Sequence, residues 1–172
     1  MPVDKFVQSK ILQIYNRTFE WAMEIVSLVI NPAVLFTTSL VSSLILFKRG
    51  KRKSSLVFVI GVGGSSLLSD LLKNIFVRTR PIPSLTSMMG YSFPSGHATT
   101  SAAFFLLMIY FFKNRFKSRY SRALFIILNV LLFSLVGFSR IYLNMHWTSD
   151  VVAGFALGLL WASFVVLVSK IF

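Results

Sequence analysis

The sequence lacks cysteine entirely and has only two histidines and five acidic residues among its 172 residues. Without cysteine there are no disulfides and no thiolate metal ligands. So few histidines and carboxylates also make a three-ligand zinc site hard to assemble. We therefore predict a protein without a bound metal or other cofactor.

Negative charge is scarce, whereas positive charge and apolar residues are abundant. The net charge is +13, and 55% of the residues are hydrophobic, with a mean hydropathy of +0.74. A soluble domain of this size is rarely so apolar, so we expect a bilayer around the chain. Basic residues cluster at 48–53 and 113–122. These clusters lie between apolar runs, as cytoplasmic loops do, and not among exposed aromatic residues as in nucleic-acid grooves. We expect no nucleic-acid partner.

Long apolar stretches dominate the rest of the chain. We predict five spanning helices over 32–47, 54–77, 96–112, 122–142 and 148–171. Several are shorter than the about 20 residues that a bilayer core requires, so tilting or flanking polar residues must complete them. The fold class is therefore all-α, a polytopic membrane helix bundle of five to six helices forming one domain over 1–172.

The first 30 residues form a separate segment in this scheme. Apolar residues recur near helical spacing and alternate with charged ones, which predicts an amphipathic helix on the membrane surface. A partly embedded helix over 19–30 is the alternative. Asn31 and Pro32 then break the chain before the first span. The N-terminus lacks the basic start, apolar core and cleavage site of a signal peptide, so we expect no cleavage.

Topology places the chemically suggestive residues on one side. The positive-inside rule puts both basic clusters in the cytoplasm. Residues 78–93 and 144–147 then share the opposite, external face.

His146 and Asp150 are the first candidate pair on that face. Four residues apart on a helix, they share a side, and a carboxylate there can accept the Nδ1 hydrogen. Nε2 is then left as a nucleophile. The same pairing also suits a structural hydrogen bond, or a metal-bound histidine with its supporting acid.

Cations form the second group. Lys73 and Arg80 are seven residues apart, about two helical turns, so both can face one way. Pro81 disfavours helix at Arg80. Arg78 fits a snorkelling residue that reaches the headgroup region. Three cations on the side that the positive-inside rule leaves poor in them indicate an anionic partner.

The third group surrounds the start of the span at 96–112. Ser95 is a preferred N-cap, Gly96 permits close backbone approach, and the helix N-terminus attracts anions. His97, in the first turn, can give a proton to a leaving oxygen. Arg140, at the end of another span, offers a planar fork for a phosphate.

These residues together resemble a known family. The motifs are Lys73-x6-Arg80-Pro81, Pro94-Ser95-Gly96-His97 and Ser139-Arg140-x5-His146-x3-Asp150. They look like the three-part signature of the type 2 phosphatidic acid phosphatases, which share their site with the vanadium haloperoxidases. The resemblance covers 73–150. It implies a helical membrane core and metal-independent hydrolysis through a phosphohistidine.

The resemblance also implies a role for each residue. His146 is expected to be the nucleophile, Asp150 its orienting acid and His97 the proton donor. The phosphate would be bound by five residues: Lys73, Arg80, Ser95, Gly96 and Arg140. Asp70, outside the signature, is predicted to pair with Lys73.

The expected substrate is a membrane lipid phosphate or diphosphate: phosphatidic acid, phosphatidylglycerol phosphate, undecaprenyl diphosphate or lipid A 1-phosphate. The expected location is the inner (plasma) membrane, with the site facing the periplasm or cell exterior and no obligate protein partner. The alternative is a non-enzymatic lipid or phosphate-anion carrier. A carrier needs the cations but not an oriented imidazole, so His146 with Asp150 favours the enzyme.

Overall fold

The computed structural model describes residues 1–82 and 90–171. Seven α-helices and one short 3-10 helix, and no β-strand, occur within these two ranges. The helices are α1 (Pro2–Gln13), α2 (Arg17–Val29), α3 (Pro32–Lys48), α4 (Arg52–Phe76), α5 (Gly96–Phe112), α6 (Arg119–Tyr142) and α7 (Thr148–Ile171), with the 3-10 turn at Lys113–Arg115. The all-α prediction is confirmed.

The predicted spans at 96–112 and 148–171 match α5 and α7 at both ends, and the other three differ by one to three residues at an end. Within the described ranges, four helical stretches are long and apolar enough to cross a membrane: Arg17–Lys48, Arg52–Phe76, Arg119–Tyr142 and Thr148–Ile171. At 17 residues, α5 lies at the lower limit of spanning length.

The first 30 residues contain two helices where one amphipathic helix was expected. The Asn16 side chain accepts hydrogen bonds from the backbone N–H groups of Thr18 and Phe19, which begins α2. Asn31 caps α3 in the same way, through the N–H of Val34, and Pro32 is its first residue. The predicted break at Asn31 and Pro32 is therefore confirmed. α2 belongs to the apolar stretch Arg17–Lys48, where an embedded helix was the alternative.

α5 is the centre of the bundle and packs against α3, α4, α6 and α7. Its residues from Ala98 to Phe105 are all buried. Gly158 lets α7 approach α5 closely, because a Cβ at that position would overlap the backbone carbonyl of Thr99. A second small residue, Gly154, faces the carbonyl of Ser95, where a Cβ would come within 2.7 Å. Close backbone contact thus fixes the start of α5 against the start of α7.

Both basic clusters lie at one end of this bundle. Ser43 of α3 bonds to Ser55 of α4 across the first cluster. The Lys170 ammonium lies 5.8 Å from the ring of Tyr110, just before the second cluster. Trp161 donates to the carbonyl of Ile60, which ties the later part of α7 to the earlier part of α4. The starts of α5 and α7 and the ends of α4 and α6 therefore meet at the opposite end.

Candidate active site

His146 lies in the turn between α6 and α7 and is 4% exposed. Asn144 has a φ of 52°, a left-handed conformation that asparagine tolerates. The N–H groups of Met145 and His146 then donate back to the carbonyl of Arg140, at 3.1 and 3.3 Å. This turn directs the imidazole inward, toward the starts of α5 and α7.

The two ring nitrogens of His146 have different partners. Nδ1 lies 2.8 Å from the backbone carbonyl of Ser92, which can only accept, so Nδ1 carries the hydrogen. Nε2 therefore presents a lone pair, and it lies 3.2 Å from Nη1 of Arg80. The sequence predicted Asp150 as the acceptor for Nδ1, but its Oδ2 is 3.6 Å away. The tautomer matches the predicted one, but the group at hydrogen-bond distance from Nδ1 is the Ser92 carbonyl and not Asp150.

Arg80 lies beside His146 because of a turn after α4. The sequence spacing instead predicted a position about two helical turns after Lys73. α4 ends at Phe76, and Val77 turns the chain with a left-handed φ of 47°. The guanidinium of Arg80 donates to the carbonyls of Met145 at 2.7 Å, Gly90 at 3.1 Å and Tyr91 at 3.2 Å. These backbone acceptors hold the fork rigidly beside the imidazole.

The start of α5 forms the next wall. Ser95 is fully buried and occupies the N-cap position, and its hydroxyl has no hydrogen-bond partner among the residues that the structure describes. The Lys73 ammonium lies 3.3 Å from where a Cβ of Gly96 would be. A side chain at Gly96 would require the Lys73 ammonium to shift by a few tenths of an ångström. Lys73 also pairs with Asp70 at 2.8 Å, which confirms that prediction.

Arg140 and His97 complete the group. Arg140 is 1% exposed, and its Nη1 donates to the hydroxyl of Ser27 on α2. The charges of Lys73, Arg80 and Arg140 all act on His97. The structure therefore brings every predicted site residue to one end of the bundle, with the cations around the two imidazoles.

The sequence predicted that Arg78 is a snorkelling residue, and the structure shows a different role. Its guanidinium pairs with Asp150 at 2.5 Å and with Asp4 of α1 at 2.7 Å. Sequence reasoning missed Asp4 altogether, because nothing local distinguishes it from any acid in the first turn of a helix. Its only signal was the scarcity of carboxylates in so basic a chain. It also missed the Ser92 carbonyl, which no motif could reveal.

A cavity of about 520 Å³ opens beside these residues, and His97, Arg140 and Ser27 line it together with apolar side chains of α2. Trp21, Ile25 and Leu28 are among them. The cavity thus joins the polar group to an apolar surface, which suits an amphiphilic ligand.

Burial is the main influence on the titration of His146. The pKa of His146 is lowered to about 4, first by burial and then by the charges of Arg80 and Arg140, while Asp150 acts in the opposite direction. The ring is therefore neutral near pH 7. Among the described residues, no group of three or more His, Asp or Glu side chains is placed to hold a metal ion.

This chain shares sequence with several curated proteins, two of which show the extent of the similarity. Phosphatidylglycerophosphatase B of Bacillus subtilis is 36% identical over 113 residues, which are 64% of this chain and 55% of the relative. An undecaprenyl-diphosphatase of Sulfolobus acidocaldarius is 32% identical over 131 residues, 70% of this chain and 57% of the relative. The chain thus spans little more than half the length of these curated relatives.

A solved structure shares the fold. The crystal structure of a transmembrane PAP2 type phosphatidylglycerolphosphate phosphatase from Bacillus subtilis superposes with a TM-score of 0.84 at 25% identity, over 97% of this chain and 84% of that one. Residues 54–171, which include all eight predicted site residues, match the model of the PAP2 superfamily. This chain belongs to the PAP2 superfamily.

Proposed function

We propose that the protein is a membrane lipid phosphatase in which His146 is the nucleophile. The observation that carries the proposal is the geometry of one ring: Nδ1 is held by the Ser92 carbonyl, and Nε2 directs its lone pair toward Arg80. A ring that only filled space would not need its free nitrogen aimed at a cation. An anion bound by Arg80 would lie next to that lone pair.

The reaction has two steps. Nε2 of His146 attacks the phosphorus, the bond between phosphorus and the lipid oxygen breaks, and His97 gives its proton to that oxygen. Water then attacks the phosphohistidine and frees inorganic phosphate and the imidazole, with His97 taking the proton from the water. Lys73, Arg80 and Arg140 stabilise the charge on the phosphoryl oxygens in both steps.

The start of α5 contributes donors to the same oxygens. The hydroxyl of Ser95, which has no partner in the described part of the chain, and the N–H of Gly96 are at a helix N-terminus, where anions bind favourably. A buried hydroxyl without a partner is costly, and a phosphoryl oxygen would satisfy it. Binding of substrate would therefore stabilise the site as well as fill it.

Substrate class follows from the cavity beside His97 and Arg140. On its α2 side, Trp21, Ile25 and Leu28 form an apolar surface beside Glu24 and Ser27. The hydrocarbon part of a lipid can lie on that apolar surface while the phosphate meets the cations. We propose a lipid phosphomonoester or diphosphate as substrate. Phosphatidylglycerol phosphate is the first candidate, since it is the substrate named for the Bacillus subtilis relative and for the solved structure.

The test is phosphate release by the purified protein in detergent with EDTA present. The panel contains phosphatidylglycerol phosphate, phosphatidic acid, undecaprenyl diphosphate and lipid A 1-phosphate. We expect release from at least one lipid and no inhibition by the chelator. A well-folded protein that releases phosphate from none of them would contradict the proposal and favour a headgroup-binding carrier.

The acidic side of the pH profile tests the neutral His146. Because the pKa of His146 is lowered to about 4, mainly by burial, the enzyme's own acidic limb in kcat/KM should appear only as the pH decreases through that value and protonation removes the lone pair. The substrate phosphate itself titrates at about pH 6. Measuring with two lipids of different phosphate pKa separates the two, since the enzyme's limb does not move. An enzyme limb near the ordinary value for histidine would contradict this account.

We also propose that the site faces the cell exterior. The support is the basic character of the opposite end of the bundle. Because the chain has no cysteine, a single introduced cysteine reports the side of each loop. Ile82→Cys, at a position 85% exposed, should react with a membrane-impermeant maleimide in intact cells, and Lys117→Cys only after permeabilisation. The reverse pattern would place the site inside.

A further inference from the structure

A chain of ion pairs connects α1 to the predicted active site. Nη2 of Arg78 lies 2.7 Å from Oδ2 of Asp4, and Nη1 lies 2.5 Å from Oδ1 of Asp150. Asp4 also accepts hydrogen bonds from the N–H and hydroxyl of Ser149, at 2.9 and 2.7 Å. α1 lies outside the residues that match the family model, 54–171. Its only buried carboxylate thus contacts the start of α7, where Asp150 lies.

The burial of the two carboxylates shows that these contacts are more than surface ion pairs. Asp4 is 2% exposed and Asp150 is fully buried. Burial alone raises the pKa of the Asp4 carboxyl, but the hydrogen bonds from Ser149 and Arg78 outweigh it and hold that pKa below its ordinary value. Asp4 is therefore charged. Two buried carboxylates share one guanidinium, and removing the guanidinium would leave both without their main partner.

Both oxygens of Asp150 are fixed as a result. Nη1 of Arg78 donates to Oδ1, and the N–H of Trp147 donates to Oδ2 at 2.9 Å. Oδ2 is the atom 3.6 Å from Nδ1 of His146. The positive charge of Arg78 thus reduces the negative electrostatic potential that Asp150 produces at His146.

We propose that Arg78 and Asp4 are positioning residues for the reaction: Arg78 orients Asp150 and moderates its charge at His146, and Asp4 of α1 holds Arg78 in place. This rests on the proposed role of His146 as nucleophile. It makes α1 part of the active-site structure, although α1 contributes no group that touches the phosphate.

The charges around His146 give the proposal a direction. Asp150 on α7 favours the protonated ring, whereas Arg80 after α4, Arg140 on α6 and His97 on α5 when protonated oppose it. Arg78→Gln removes the cation that partly neutralises Asp150, so the protonated ring should become easier to form. Asp4→Asn removes a negative charge and leaves Arg78 to Asp150 alone, so no upward displacement should follow.

The experiment compares Arg78→Gln, Asp4→Asn, the double variant and Gln8→Ala with the wild type. Gln8 is the matched control, because it joins α1 to Asn144 at 3.2 Å without contacting Arg78 or Asp150. We measure kcat/KM against pH per folded molecule, and follow the titration of His146 by ¹⁵N NMR, which needs no turnover.

Arg78→Gln should lower kcat/KM by roughly 10–100-fold, by analogy with the loss seen when a residue that orients a metal ligand is removed. Its acidic limb and the NMR titration should move upward by about half a unit to one unit. Asp4→Asn should lower kcat/KM by a smaller factor without that upward movement. The double variant should resemble Arg78→Gln, since Asp4 acts through Arg78. Gln8→Ala should keep the wild-type kcat/KM and pH profile.

The outcomes separate this inference from the proposed function. Wild-type protein that releases no phosphate would refute the phosphatase, whereas the NMR titration would still report on Arg78. An active wild type together with unchanged kcat/KM and pH limb in Arg78→Gln would overturn the positioning role, whatever happens to its melting temperature. If Arg78→Gln does not fold, Asp4→Asn decides: folded protein with wild-type kcat/KM would also overturn it.

Discussion

Replacing His146 by alanine should remove phosphatase activity almost completely, with a loss in kcat on the order of 10⁵-fold or more, as for other enzymes that lose their nucleophile. The reason is the absence of any substitute. In the described part of the chain the other imidazole, His97, is on the first turn of α5, where its proposed task is to move the leaving-group proton. Initial rates of phosphate release at saturating lipid measure the loss.

His146→Gln is the matched control for packing. A glutamine amide can still donate to the Ser92 carbonyl, but it has no lone-pair nitrogen, so its activity should be as low as that of the alanine variant. Both variants should still bind the lipid. If His146→Gln kept more than a small fraction of wild-type kcat, a different residue or an activated water would have to be the nucleophile.

Arg80→Ala should lower kcat by roughly 10²–10³-fold, the usual cost of removing a group that stabilises transition-state charge. Three backbone carbonyls fix its fork, with Nη1 3.2 Å from Nε2 of His146, so no neighbour can take its place. Arg80→Lys should recover little, because a single ammonium cannot satisfy these carbonyls and a phosphate together.

Arg115→Ala provides the comparison for Arg80→Ala, since Arg115 is an exposed arginine in the basic cluster at the opposite end of the bundle. It should leave kcat unchanged. Steady-state kinetics on detergent-solubilised protein would measure both. A rise in KM for Arg80→Ala with unchanged kcat would mean that Arg80 only binds the ground state, contrary to the mechanism proposed above.

The helices were predictable because a bilayer imposes a strong and simple requirement. Apolar runs, extended through their flanking residues, located α5 and α7 at both ends. The N-terminal segment was harder, because α1 and α2 mix charged and apolar residues at helical spacing, and only the Asn16 cap reveals the division. Such a cap is hard to recognise from the sequence, because many other asparagines and serines do not cap a helix.

The site was predictable where sequence spacing carries the geometry, and not where a turn or a distant segment does. His146 and Asp150 share a helix face as four-residue spacing requires, yet the acceptor for Nδ1 is a backbone carbonyl, at Ser92, 54 residues away. The sequence spacing assigned Arg80 to a helical face, but the turn at Val77 is what places Arg80 in the site. Asp4 lies 74 residues from its partner Arg78, a distance that no local pattern can bridge.

In the segment 81–92, residues 83–89 lie outside the described part of the chain. Its described ends still matter for the site. The carbonyls of Gly90 and Tyr91 hold Arg80, and Ser92 holds His146. Backbone atoms of the final part of this segment therefore organise both members of the pair that the mechanism uses.

The most direct test of the central claim is to trap the covalent intermediate. Wild-type protein is mixed with a lipid carrying a ³²P-labelled terminal phosphate, quenched in base within one turnover, and digested. The account predicts acid-labile, base-stable label on the peptide that contains His146, and none in His146→Ala. Label on another residue, or rapid phosphate release with no labelled protein at any quench time, would contradict it.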